Sequence, residues 1–196
     1  PSVIGVDPRM HCWHSHDLGI LASRSATALT DRYTATGMSE NGVVVGKVVG
    51  GGTIEPWVWF PCESVSFGFP ARQMISLRPP SGALVAAEAF GVNTTGIIVG
   101  SADVSGGGTW PVYWSLSGSP PTITMVQLGN QKGEAYAVND ATGGNGWDIV
   151  LATDGGSCAW TAFRYRQGDP PTTLRTLSPH SGDGAAYPLD VSTPLP

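Results

Sequence analysis

Short apolar runs separated by glycine-rich turns follow one another along the chain, and one pattern of them recurs. It spans residues 35–46 and returns at 89–100, with a small residue, a polar Ser39 or Asn93, a turn glycine and a closing glycine in register. A looser copy occupies 135–151, and the start of a fourth occupies 186–190. No segment of a dozen residues has the apolar spacing of a helix. The pattern therefore predicts an all-β protein.

Each complete copy predicts four short strands, in units at about 33–78, 86–129 and 134–178. In the first unit the Asn41-Gly42 pair favours a type I′ hairpin turn. Ala89, Ala135 and Ala186 mark equivalent inner strands, 46 and 51 residues apart. Repeats of about 40 to 55 residues with four strands each are typical of β-propeller blades.

The two ends of the chain complement each other in this scheme. The last copy, at about 184–196, holds a first strand alone, whereas residues 1–22 begin with a second strand. Together they predict a fourth blade, which would pair the edge strands of the ring. We therefore expect residues 1–196 to form one four-bladed β-propeller, with the last blade closed by the C-terminal inner strand and the N-terminal strands.

The repeated motif is followed by an aromatic strand at 56–59, 111–114 and 160–163, and by Leu-Gly segments such as Leu18-Gly19 and Leu128-Gly129. In this the chain resembles the HAF repeat of bacterial extracellular proteins over nearly its whole length. The resemblance implies a β-propeller, an exported protein and no established chemistry, so it assigns no catalytic residue.

Charge and composition exclude some functions. The net charge is −5, with 10 Lys and Arg against 15 Asp and Glu. Nucleic acid is therefore not an expected partner, because binding it requires clustered cations. No apolar run approaches the roughly 20 residues that span a bilayer, so membrane insertion is not expected. A Lys-poor chain rich in Gly, Ser and Thr favours an extracellular or cell-envelope location.

Three cysteines and a histidine cluster raise the question of metal binding. On a strand, alternation places Cys12, His14 and His16 on one face, where thiolate and imidazole suit zinc or copper. The alternative is a solvent-facing edge with Cys12 buried as a small hydrophobe. No cofactor is needed in that case. One disulfide among Cys12, Cys62 and Cys158 is possible, and an odd number leaves at least one cysteine over.

Tryptophans and aspartates near the blade turns are the remaining candidates. Trp57, Trp110 and Trp147 lie beside turns, where an exposed indole stacks on sugar rings or on partner loops. Packing between sheets is their alternative role. Asp103 and Asp148 near the rim suit ligand contacts or turn capping. A glycosidase would need two such carboxylates roughly 5 to 10 Å apart.

These observations favour an exported recognition module for a glycan or a protein, built on a rigid propeller and without established chemistry. A glycoside-type hydrolase that uses the rim aspartates is the first alternative. A metal-binding or purely structural protein is the second.

Overall fold

The computed structural model describes residues 19, 21, 31–61, 68–78, 86–103, 107–117, 121–140, 146–154 and 160–177. These residues form twelve strands and no helix, so the prediction of an all-β fold is confirmed. None of them belongs to a helix that is long and apolar enough to cross a lipid bilayer. The segments of the expected fourth unit, 184–196 and 1–22, lie outside the described residues apart from Gly19 and Leu21.

The strands fall into three successive groups of four, which we call the first, second and third units. The first unit contains β1 (Arg32–Met38), β2 (Val44–Gly50), β3 (Thr53–Trp59) and β4 (Met74–Ser76). The second contains β5 (Ala86–Val92), β6 (Ile97–Asp103), β7 (Trp110–Ser117) and β8 (Thr122–Gln127). The third contains β9 (Gly133–Val138), β10 (Asp148–Asp154), β11 (Trp160–Arg166) and β12 (Arg175–Thr176).

Within each unit the strands pair antiparallel in the order in which they follow one another along the chain. The first and second units are joined into one eight-stranded sheet by a single parallel pair, Ile54 with Ala86, while the third unit is a separate sheet. We call β1, β5 and β9 the inner strands. β5 packs against β1, β2 and β3, and β9 packs against β5, β6 and β7.

Each inner strand carries a β-bulge at the same place. In β1 the register against β2 shifts between Ala35 and Gly37, so Thr36 is the additional residue. The same shift makes Phe90 the additional residue of β5 and Tyr136 that of β9. A bulge leaves one residue outside the ladder and bends the strand, so it redirects that side chain. The repeat in the sequence thus produces a repeated irregularity in the structure.

The turn after each inner strand is closed by an equivalent polar side chain. Ser39 Oγ accepts a hydrogen bond from Val43 N, Asn93 Oδ1 from Ile97 N, and Asn139 Oδ1 from Asp148 N. All three side chains are buried. A small oxygen-bearing residue is needed here because its side chain satisfies a buried N–H group that the hairpin leaves unpaired.

The turn type in the first unit differs from the prediction. Gly42 has a φ of 82°, but Asn41 does not have a positive φ, whereas a type I′ turn requires one at both positions. Gly42 N instead donates to Ser39 O over 2.9 Å, and Ser39 N donates to Val43 O. This is a turn followed by a glycine bulge, and it recurs at Asn93 and Gly96. One left-handed glycine suffices for it.

Apolar clusters lie between successive units. The first cluster joins Val45 and Val58 of the first unit to Ile98 and Trp114 of the second. The second cluster joins Val99 of the second unit to residues of the third, Ala135, Ile149, Leu151 and Tyr165 among them. A third cluster places Leu21 against Trp57 and Trp59 on the other face of the first unit. The core is therefore a series of interfaces between neighbouring units.

The cross-strand register corrects one predicted equivalence. Trp59 pairs with Val44, Trp114 with Ile98 and Tyr165 with Ile149, so these three aromatic residues occupy the same position. The recurrence of Trp59 and Trp114 agrees with the prediction, but the third member is Tyr165 rather than Phe163. The spacing in the sequence carries this equivalence, since Trp114 lies 16 residues after Ile98 and Tyr165 lies 16 residues after Ile149.

Candidate ligand-binding surface on the inner strands

The three bulged residues form a continuous series from one unit to the next. We call Thr36, Phe90 and Tyr136 the bulge row. Thr36 Oγ1 donates to the carbonyl oxygen of Ala89 over 2.5 Å, which joins the first bulge to the second. The Phe90 and Tyr136 rings stack with centroids 5.9 Å apart and an interplanar angle of 15°. The bulge row therefore crosses all three units.

Glycines allow neighbouring inner strands to lie close to one another at the bulges. A Cβ atom on Gly37 would lie 2.5 Å from Phe90 O, which is closer than real Cβ atoms approach a backbone oxygen. A Cβ on Gly91 would lie 3.2 Å from Tyr136 O. The residue after each bulge thus contacts the bulge of the next unit, and this contact fixes the spacing of the bulge row.

The two rings of the bulge row are partly exposed, and polar groups flank them. Tyr136 hydrogen-bonds with Glu134, which lies two residues earlier on the same strand. Burial, followed by this hydrogen bond and the negative charge of Glu134, raises the pKa of Tyr136 to about 12. The hydroxyl is therefore protonated at neutral pH and can donate a hydrogen bond. An aromatic face beside a carboxylate and a hydroxyl can contact both the apolar and the polar parts of a ligand.

The turns at one end of the inner strands are linked by hydrogen bonds between units. Asn41 Nδ2 donates to Thr94 O over 3.1 Å, and Asn93 Nδ2 donates to Asn139 O over 3.0 Å. Thr94 N also donates to Asp140 Oδ1 over 2.6 Å. We call these linked turns the rim. The rim shows that the second strands of neighbouring units start at the same end of the molecule.

The structure places the predicted tryptophans in three different environments. Trp57 has 1% of its surface exposed and packs in the third cluster. Trp147 has 6% exposed and contacts the rings of Tyr113 and Tyr165. Trp110 is partly exposed at the start of β7, where it pairs with Ala102. Trp110 is therefore the one partly exposed residue of these three tryptophans.

The two predicted aspartates are not brought together. Asp148 begins β10 at the rim, with its N–H bonded to Asn139 Oδ1. Asp103 ends β6, six residues beyond Ile97 at the rim. At about 3.3 Å per residue this places Asp103 roughly 20 Å from the rim end of its strand. That separation is much larger than the 5 to 10 Å between the carboxylates of a glycosidase.

The Asp148 carboxylate also forms ion pairs with two arginines. Its Oδ2 lies 2.9 Å from Arg164 Nη2 and its Oδ1 lies 3.2 Å from Arg166 Nε. The equivalent positions on the second unit are the apolar or neutral Ile97, Tyr113 and Ser115. The carboxylate is buried and compensated, so its contribution in this structure is to hold β10 against β11.

The predicted metal ligands Cys12, His14 and His16 lie outside the described residues, as do Cys62 and Cys158. Across the ranges that the structure does describe, no group of three or more His, Cys, Asp or Glu side chains is placed to hold a metal ion.

The bulge row was missed in the sequence interpretation. A signal for it exists, because Phe90 and Tyr136 each lie between two small residues inside the repeated motif. Ala89 and Ala135 are buried, so the alternation of a regular strand would turn the next residue toward the opposite, polar face. A large aromatic residue at that place is therefore a sign of a bulge.

Searches of protein-family models, of curated proteins and of solved structures found no match to this chain.

Proposed function

We propose that the chain is an exported binding module that recognises a carbohydrate on its inner strands, and that its scaffold is a four-bladed β-propeller. The observation that carries the proposal is the bulge row, with its two partly exposed stacked rings beside Glu134. The Gly-, Ser- and Thr-rich, Lys-poor composition supports export.

Carbohydrate is the ligand class that this combination fits best. The apolar face of a sugar ring stacks on an aromatic ring, and its hydroxyls require nearby donors and acceptors. Phe90 and Tyr136 supply the rings. Glu134 and the Tyr136 hydroxyl supply the polar contacts. The series runs across three strands, which suits an extended chain of sugars.

Rigidity of the scaffold supports a binding role. The rim turns are held by hydrogen bonds from unit to unit, and the bulges are held by the close approach of Gly37 and Gly91 to the next strand. A ligand that meets a surface ordered in advance does not have to order it on binding. Side chains on such a frame keep one geometry without a ligand.

The unequal exposure of the inner strands supports a fourth blade. Ala89 and Ala135 are fully buried by the preceding units, whereas the equivalent Ala35 is exposed. Met38 is 56% exposed, against 8% for the equivalent Val92. On the same face Trp57 and Trp59 are already buried. Residues 186–191 carry the inner-strand pattern and are the segment that we propose covers β1.

Matched arginine substitutions in β1 test closure by the fourth blade. If residues 186–191 pack on β1, Ala35→Arg inserts a charge into an interface and should lower the free energy of unfolding by about 2 kcal/mol or more. Thr34→Arg, on the other face of the strand, should change it by less than about 0.5 kcal/mol. Denaturant unfolding of the full chain measures both. Equal and negligible effects would contradict the four-bladed ring.

A glycan array with ring-removal variants tests the ligand class. Phe90→Leu and Tyr136→Leu keep apolar volume but remove the stacking faces, so each should weaken sugar binding about tenfold, from stacking worth about 1 kcal/mol or more. Trp110→Leu removes an accessible ring elsewhere and serves as the control. Unfolding curves establish that the variants are folded. An array without signal, or binding that depends on Trp110 alone, would show the assignment to be wrong.

A further inference from the structure

Glu88 and Glu134 occupy the same place on neighbouring inner strands but differ in charge compensation. Each lies two residues before a bulged aromatic residue, Phe90 or Tyr136. Glu88 Oε2 lies 2.6 Å from the Nζ of Lys47 on β2 of the preceding unit. Glu88 is therefore neutralised by the unit before it.

The corresponding cation is missing for Glu134. In the first unit, Lys47 is the residue after Gly46, which pairs with the inner strand at Ala35. In the second unit, the equivalent glycine is Gly100, and the residue after it is Ser101. Ser101 is buried and uncharged. Lys132 lies nearby in the sequence, but its side chain extends over Gly108. Among the described residues, none forms an ion pair with Glu134, and its bond to the neutral Tyr136 leaves its charge uncompensated.

This carboxylate interacts with Tyr136, whose partly exposed ring stacks on that of Phe90. Aromatic faces carry negative electrostatic potential, and they attract ammonium groups within about 6 Å of the ring centroid. A carboxylate at the edge of the same surface adds a charge-assisted hydrogen bond. The uncompensated acid beside a ring favours a cation, whereas Glu88 already has Lys47 as its cation.

We propose that Glu134, Tyr136 and Phe90 form a subsite for a protonated primary amine of the ligand, so that an amino sugar binds in preference to its N-acetylated form. The ammonium group donates to the Glu134 carboxylate and lies against the ring faces. N-acetylation removes the positive charge and places an amide carbonyl next to the carboxylate. The proposal rests on the proposed carbohydrate-binding function for the rest of the ligand, but the ammonium contact itself does not require a sugar.

Nuclear magnetic resonance titrations of the full chain test the subsite. Glucosamine, N-acetylglucosamine and glucose are titrated separately, and the ring signals of Phe90 and Tyr136 are followed. Glucosamine should bind about tenfold more tightly than the other two, as a contact worth about 1.4 kcal/mol gives. Ethylammonium chloride is a fourth probe that carries the charge without the sugar, and it should shift the same signals.

Two glutamine variants separate the charge of Glu134 from its structural contacts. Glu134→Gln keeps a hydrogen-bonding partner for Tyr136 and should abolish the preference for glucosamine, while glucose binding stays unchanged. Glu88→Gln is the matched control and should leave the preference intact. Unfolding curves of both variants should resemble that of the unsubstituted chain.

The possible results distinguish the two proposals. Equal binding of the three sugars at the bulge row would overturn the amine subsite and leave carbohydrate binding standing. Shifts with ethylammonium that depend on Glu134, without binding of any sugar, would support the subsite and contradict the carbohydrate function. A preference for glucosamine that survives Glu134→Gln would overturn the subsite, as would the absence of any shift with both cations.

Discussion

The inner strands of the first and second units share a sequence pattern but have opposite exposure. β1 and β5 have the same bulge, the same turn and the same register with the following strand. Yet Met38 is 56% exposed and the equivalent Val92 only 8%. The difference comes from the neighbour, because the first unit covers β5. An inner strand is therefore buried by the preceding unit, and its own sequence only makes it compatible with burial.

The largest expected effect comes from placing a charge on the covered strand. Ala89→Arg should lower the free energy of unfolding by about 4 kcal/mol or prevent folding, because Ala89 is fully buried between the first two units. Circular dichroism during urea titration measures the change. The proposed cost of Ala35→Arg is about half as large. If both variants unfold at the same urea concentration, β1 and β5 have equivalent environments and the comparison is wrong.

Removal of the polar side chains that cap the turns should have the second largest effect on the free energy of unfolding. Asn93 has 2% of its surface exposed, accepts from Ile97 N and Thr95 N, and donates to Asn139 O. Asn93→Ala should therefore cost about 2 to 3 kcal/mol of unfolding free energy, since several buried groups lose their partners. Ser39→Ala in the first unit loses fewer bonds and should cost about 1 kcal/mol.

Asn93→Ser separates the two functions of this cap. The serine introduces the cap of the first unit, where Ser39 Oγ accepts from Val43 N, but it lacks the Nδ2 donor to Asn139 O, so its cost measures the bond between units. We expect about 1 kcal/mol in thermal or chemical unfolding. A cost equal to that of Asn93→Ala would contradict the role of Asn93 as the cap of its own turn.

The close approach of the inner strands predicts a smaller, graded effect. A Cβ on Gly37 would lie 2.5 Å from Phe90 O, while one on Gly91 would lie 3.2 Å from Tyr136 O. Gly37→Ala should thus cost about 1 to 2 kcal/mol of unfolding free energy. Gly91→Ala should cost less than about 1 kcal/mol, because a shift of a few tenths of an ångström relieves the contact. The reverse order would show that the spacing of the bulge row is not fixed by these glycines.

Alkaline pH distinguishes the third unit from the first. Burial is the main cause that raises the pKa of Tyr136 and of Tyr165 from 10.0 to about 12. The folded state therefore retains protons that the unfolded state releases near pH 10, so stability is full below pH 10 and falls as the pH rises to about 12. The first unit has Thr36 and Trp59 at these positions, and neither ionises in this range.

Tyrosine variants test this pH dependence. Tyr136→Phe and Tyr165→Phe should each flatten the loss of unfolding free energy between pH 10 and about 12. Urea unfolding at a series of alkaline pH values measures the slope, and ultraviolet difference absorbance follows the phenolates. An unchanged slope in both variants would show that other groups govern alkaline unfolding.

The strands were predictable because their signals are local. The apolar runs and turn glycines placed the second unit at about 86–129, and its four strands run from Ala86 to Gln127. The predicted turn type failed at Asn41 because two hairpin solutions share a glycine at the same place, and the side chain of Ser39 favours the one observed. The aromatic strand of the third unit was aligned on Phe163, although Tyr165 lies as far beyond Ile149 as Trp114 lies beyond Ile98.

The candidate site was less predictable than the strands. Trp57 is large and lies near a turn, but Gly46 opposite it leaves room for the indole inside the sheet, so the ring is buried. Phe90 and Tyr136 looked like ordinary strand residues until the register shift directed them out of the ladder. Asp148 could not be recognised as compensated, because its arginines are on a strand that begins a dozen residues later.

The sequence by itself determined the strands, their order and the repetition of one polar cap, because each of these depends on residues a few positions apart. Tertiary structure decided which aromatic rings are buried, which inner strand is covered and which glutamate has a cation. Those properties depend on contacts between residues in neighbouring units, such as Lys47 with Glu88, 41 positions apart, and Asn93 with Asn139, 46 positions apart. Packing of one unit on the next brings such pairs together, and the sequence pattern within either unit does not specify that packing.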